Sequence, residues 1–258
     1  MKILVEAAKG NHLFGLKDLF EARKHQWIWW EESHTPAFDV FDEIRPDLFI
    51  AAKPRMSRAI NKCVKIHKPV VVCQDGPYTY NVDEIQLSYP VLVNTAVHRP
   101  GEGTPALKCD IACCEEPNPT LLSLCRFHNK FNIKIVGDTP WPVPQYLGVA
   151  QWQEQVQLYQ SAKLVYAETV EEAGRALACK KVCMTSNAKL AATLADSVWV
   201  VENSDELYDN VHLLLSSQKD IMKKWSENGY NFIVENEFTY ERAFTELCAA
   251  LSKKGCKV

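Results

Sequence analysis

The chain has 258 residues, 47% of them hydrophobic and 24% charged, with a formal net charge of -3, which describes a globular protein with room for one large domain or two small ones. The slight negative balance excludes a protein that coats nucleic acid through bulk charge, though not one with a local basic patch. No run approaches the roughly 20 apolar residues of a membrane span, and the start "MKILVEAAKG" turns polar too early for a signal peptide, so a cytoplasmic location is expected.

Short β-branched runs alternate with amphipathic stretches along the chain, the pattern of parallel sheets covered by helices. The first half predicts strands at "KILVEA", "WIWWEES", "DLFIAA", "PVVVCQD", "YPVLVNTA" and "CDIACC". After a break at "EEPNPT" and a helix at "LLSLCRFHNKFN", the second half predicts strands at "IKIVGD", "KLVYAE", "KVCMTS" and "SVWVVEN". A closing helix carries Phe244, Leu247, Cys248 and Leu251 at helical spacing. The expected architecture is α/β, two doubly wound, Rossmann-like domains facing across a cleft. Residues 1–125 would form the acceptor-side domain and residues 126–258 the donor-side domain, with the last helix returning towards the first.

The ten cysteines include no C-x-x-C pair and no accompanying histidine pair, so free core thiols are a better reading than a zinc site. Neither "DTP" nor "DGP" makes a D-x-D motif, and no metal is implied.

Open α/β sheets bind ligands beyond the carboxyl ends of their strands, which makes the turn residues the candidates. In "EAAKGNHLFGL", Gly10 and Asn11 precede a helix whose first N–H groups could meet a phosphate, although the spacing is not G-x-G-x-x-G. In the second half Asp138, Trp141, Glu168, Thr169 and Glu172 occupy equivalent places. Trp141 stands between prolines and equally suits plain packing.

The segment "KPRMSRAINKCVKIHK" holds six Lys or Arg and no acid. As a helix it sets Arg55, Arg58, Lys62 and Lys65 on one side and Met56, Ala59, Ile60 and Cys63 on the other. Its plain reading is a solvated face. Its functional reading is an anionic acceptor met by Lys53, Arg55, Arg58 and Lys62, with Tyr78 available for stacking, and nucleic acid suits such spaced cations.

From "IKIVGDTPWPV" through "YLGVAQWQEQVQLYQSAKLVYAE" and "RALACKKVCMTS" to "FTYERAFTEL", residues 132–248 resemble the nucleotide-binding half of GT-B glycosyltransferases, in particular a spore-protein-like group. The resemblance implies a nucleotide-sugar donor such as a UDP-sugar, bound chiefly by the second domain. It also brings in compact enzymes that glycosylate hydroxymethylated bases of bacteriophage DNA. The family pattern E-A-L-A-C-G is here Arg175-Ala176-Leu177-Ala178-Cys179-Lys180, so the glutamate expected on the ribose has become an arginine and the glycine a lysine. Arginine can clamp a diphosphate, Lys180 can add charge, and Glu168 or Glu172 can take the ribose. The plainer reading of Arg175 is an ion pair with Glu171 or Glu172.

Glycosyl transfer further requires an activated acceptor hydroxyl. Asp75, closing "PVVVCQD", is the first choice of base, followed by His12, His34 and His98. The competing expectations are a carbohydrate or small-metabolite acceptor, a non-catalytic two-domain binding protein, and a sugar-nucleotide epimerase.

Overall fold

A computed structural model describes residues 1–6, 14–31, 33–51, 57–74, 84–87, 92–127, 130–217 and 219–256. They divide into two compact units, Met1–Tyr89 with Tyr240–Val258, and Pro90–Thr239.

In the first unit the chain runs β1 (Lys2–Glu6), α1 (Phe14–Ala22), β2 (Gln26–Trp30), α2 (Ala37–Ile44), β3 (Leu48–Ala51), α3 (Arg58–His67), β4 (Val70–Gln74) and β5 (Glu84–Leu87). The strands form one parallel sheet in the order β2-β1-β3-β4-β5. All four residues of β3 are buried, as expected for a parallel strand covered on both faces. Helix α3 starts where the Ser57 hydroxyl accepts the N–H of Ile60 at 3.2 Å and stops at Lys68, which takes a left-handed conformation. It buries Ile60, Cys63 and Val64 and exposes Arg58, Lys62 and Lys65.

The second unit runs β6 (Cys109–Cys113), α4 (Pro119–Phe127), β7 (Ile133–Ile135), α5 (Trp152–Ser161), β8 (Ala162–Tyr166), α6 (Val170–Ala178), β9 (Val182–Thr185), α7 (Ala188–Leu194), β10 (Trp199–Val200), α8 (Ser204–Ser217) and α9 (Lys219–Glu235). Its parallel strands are ordered β10-β9-β8-β6-β7. Alternate residues serve opposite faces: Ala112, Val165 and Cys183 join one buried cluster, while Ile111, Cys113, Leu164, Tyr166 and Met184 join the other. Helix α9 lies so close to α6 that a Cβ on Gly229 would fall 2.4 Å from Leu177. The final helix, α10 (Tyr240–Lys253), belongs to the first unit, where the Tyr240 ring would sit 2.4 Å from any Cβ at Gly15 of α1.

Three expectations change. The strand at 109–113 pairs with β7 and β8, so it is central to the second sheet and the second unit opens at Pro90 rather than near residue 126. "EEPNPT" is therefore a strand-to-helix turn within that sheet. Among the described residues of "YPVLVNTA", Val93 makes only an isolated bridge to Thr239. The fifth strand of the first sheet is instead Glu84–Leu87, whose E-I-Q-L carries too few β-branched residues to stand out.

Of the ten cysteines in the sequence, Cys63, Cys109, Cys113, Cys114, Cys125, Cys179 and Cys183 are free and buried. No helix among the described residues is long and apolar enough to cross a membrane.

Candidate functional site

Numbered within its own unit, each sheet has the order 2-1-3-4-5. The winding reverses between the first and third strands, so the crevice of the second sheet opens at the carboxyl ends of β6 and β8. Glu115 lies just beyond β6 and is only 9% exposed. Its side chain accepts the backbone N–H of Glu168 at 2.6 Å, and the N–H and hydroxyl of Thr169 at 2.7 Å each. Three donors favour the ionised carboxylate, but burial outweighs them and lifts its pKa to about 7.

Glu168 follows β8. Its Oε1 accepts the N–H of Ser186 at 3.0 Å, the Ser186 hydroxyl at 2.6 Å, and the hydroxyl of Tyr166. The Glu168 carbonyl accepts from the Asn187 side chain at 2.8 Å. One carboxylate oxygen is thereby fixed, while Oε2 has no hydrogen-bond partner among the described residues. Thr169 and Asn187 cap α6 and α7, and the Asn118 side chain accepts from Leu121 in the first turn of α4 at 2.9 Å. Three helix starts thus converge on this edge, and their N-terminal dipoles favour the two glutamates as anions.

The other predicted donor residues separate by depth along α6. Glu172 turns inward, where its carboxylate accepts the hydroxyl of Tyr159 and ion-pairs with Arg175. Burial raises the Glu172 pKa, and Arg175 opposes that rise. Arg175 therefore makes the plain helix ion pair. Lys180 is eleven residues beyond Thr169, about 16 Å along a helical path, and its ammonium lies 3.5 Å from Glu227 of α9. That position sets it at the far end of α6 from Glu168. Its φ of 58° and the bonds from Lys180 N to Leu177 O and from Lys181 N to Ala176 O form a helix-ending motif that favours glycine. The conformation explains the glycine of the family pattern without any ligand.

Trp141 is 4% exposed and donates its indole N–H to the Glu115 carbonyl at 2.9 Å, so it packs the core and supports the Glu115 turn. Asp138 is exposed at the end of β7. His98 belongs to the second unit, not to the acceptor-side domain. Its Nδ1 lies 3.3 Å from the Asn94 carbonyl, and burial, with the Arg175 charge, lowers its pKa to about 4. It is a weak proton acceptor.

Gly10, Asn11, His12, Lys53, Arg55, Asp75 and Tyr78 lie outside the described residues. Arg58 and Lys62 are exposed on α3, with the Lys62 ammonium 5.6 Å from the centre of the Phe38 ring. Among the described residues no group of three or more His, Cys, Asp or Glu could hold a metal. The residues missed from sequence are Glu115 and Tyr166. Glu115 closes a run of cysteines that reads as buried strand, and only the order of strands reveals that it ends at the crevice.

No protein-family model matches the chain, and no curated protein matches it. Solved structures do. HepE (Alr3699) of Anabaena, in complex with UDP and glucose, superposes with a TM-score of 0.70 at 10% identity, covering 97% of this chain and 99% of that one. A glycosyltransferase from Rickettsia africae ESF-5 has a TM-score of 0.67 at 12% identity, covering 98% of each chain. S. aureus MnaA, in a structure with UDP, has a TM-score of 0.66 at 10% identity, covering 97% of each. With its two parallel five-stranded sheets flanked by helices, this chain has the fold of the GT-B glycosyltransferases.

Proposed function

We propose that this protein is a glycosyltransferase that binds a nucleotide-sugar donor at the carboxyl edge of its second sheet and passes the sugar to a hydroxyl acceptor. The observation that carries this reading is Glu168. Ser186 and Tyr166 anchor one oxygen of its carboxylate at the strand reversal, and the second oxygen can accept from a sugar or ribose hydroxyl. A carboxylate held in place beforehand binds a diol without the entropy cost of ordering it. The neighbours solved with UDP, and with UDP and glucose, support a UDP-sugar as the first donor to try. On sequence grounds alone, Asp75 remains the first choice of base, with His12 next.

A carbohydrate or small metabolite is the acceptor that best suits this reading. A DNA acceptor rests on the exposed cations of α3, and the comparisons give it no support, nor do they support the spore-protein-like subgroup.

The test is a thermal-shift screen of nucleotide sugars, followed by assay of nucleoside diphosphate release with carbohydrate and DNA acceptors. The expected result is stabilisation by a UDP-sugar and at least tenfold weaker binding, on the order of 1.4 kcal/mol, in Glu168→Gln. Failure of every nucleotide sugar to stabilise the chain would overturn the assignment. Release that appears only with DNA and falls steeply with salt would transfer the acceptor to nucleic acid.

A further inference from the structure

At the β10 border of the second sheet lies an open groove of about 370 Å³, near the lower end of the roughly 300–1,000 Å³ typical of small-molecule sites. Trp199 of β10 and Trp225 of α9 form its main wall, with ring centroids 5.0 Å apart and planes inclined at 42°. Both rings pack partly against the core and are half-buried. Neither indole N–H has a hydrogen-bond partner among the described residues. Asp196 lines the same groove, is exposed, and makes no hydrogen bond or ion pair among the described residues. Ala191, Ala195 and Val198 complete a wall of small apolar groups.

Backbone geometry marks the same place. Ala195, just before Asp196, has φ 49° and ψ -137°, a positive-φ conformation outside the left-handed helical region that an alanine seldom adopts and that tends to collect at functional positions.

We propose that this groove is a carbohydrate-binding site, separate from the Glu168 site, that takes a neutral pyranose. A pyranose has a flat face of C–H bonds and a rim of hydroxyls. The indole faces suit the former, and the two indole N–H donors with the Asp196 acceptor suit the latter. Other occupants fit less well. A phosphate or carboxylate would meet Asp196 with like charge, and a wholly apolar ligand would strip water from that carboxylate without replacing it. A cation cage needs space between its rings, whereas these rings touch each other. Strand addition at β10 would have only two residues to pair with.

The test uses the full chain, with methyl β-D-glucopyranoside, methyl α-D-glucopyranoside and cellobiose as probes, read by saturation-transfer NMR and tryptophan fluorescence. The expected result is saturable millimolar binding of at least one glycoside, signals strongest on its C–H protons, and quenching or blue-shifting of the indole emission. Asp196→Ala, at an exposed position, should leave thermal unfolding unchanged and weaken binding roughly tenfold. Trp225→Phe, which retains a ring on the core, should weaken it by several-fold. Binding should persist with UDP present in excess and in Glu168→Gln, so a failure of the donor assignment would leave this result standing. No saturable signal from any glycoside, binding unaffected by both groove variants, or a response to tetramethylammonium chloride in place of the glycosides would overturn the proposal.

Discussion

The two sheets share one winding order, and the first strand of each brings up a buried glutamate, Glu6 as the last residue of β1 and Glu115 just after β6. They differ in what the described residues build around the strand reversal. In the second sheet Glu115 ties down the turn after β8, Glu168 ties that turn to Ser186, and Asn187 bonds back to the Glu168 carbonyl. Three strand ends become one hydrogen-bonded unit with an acceptor oxygen left over. In the first sheet, the helix that follows β3, α3, displays positive charge over a conventional apolar underside. The same topology can therefore support a prebuilt polar seat or a charged surface, depending on the residues placed at the strand ends.

The comparison can be broken most forcefully at Glu115. Glu115→Ala should cost about 3 kcal/mol in denaturant unfolding, because two N–H groups and a hydroxyl lose a shared buried acceptor. A cost below about 1 kcal/mol would mean that the strand ends are not coupled as described.

The same residue sets a pH dependence. Its pKa rises from an ordinary 4.5 to about 7 in the folded chain, so between these values the native state binds more protons than the unfolded state. Its contribution is therefore fully present below pH 4.5 and is lost as pH climbs through 7, on the order of 3 kcal/mol at most. Glu115→Gln should remove this part of the slope when its stability-against-pH curve is compared with that of the parent.

Arg175→Ala tests whether α6 carries a donor clamp or an internal ion pair. Because Glu172 is buried beneath Arg175, the expected loss is about 1–3 kcal/mol of stability, with donor affinity within about twofold of the parent. A large loss of donor affinity at unchanged stability would restore the clamp. The smallest effect is expected at Lys180→Gly, a gain of about 0.5–1 kcal/mol from relief of the left-handed backbone, offset in part by the flexibility of glycine in the unfolded chain.

Much of this was legible in one dimension. The alternation of β-branched runs with amphipathic helices establishes two parallel sheets, since buried strands must be apolar throughout and their crossovers must be striped. The burial of Phe244, Leu247 and Leu251 on α10 follows from helical spacing, and the placing of Glu168 at a strand end follows from the run "KLVYAE". These are local properties, decided within a turn or two of chain.

Which sheet a strand joins is not local. "CDIACC" reads as a fine strand for either unit, and only its pairing with β7 and β8 carries Glu115 to the reversal point, where it faces Thr169 across 54 residues of chain. The fate of charges was equally hidden. Arg175, Glu172 and Lys180 look alike as helix charges, and it is depth along α6 that turns one pair inward and sends the lysine to α9. The pairing of Trp199 with Trp225 likewise joins a strand to a helix that neither stretch foretells. Sequence determined most of the elements because propensity and hydrophobic period act between neighbours. Tertiary structure alone decided the sites, because each is assembled from strand ends and helix faces that only strand order and packing bring together.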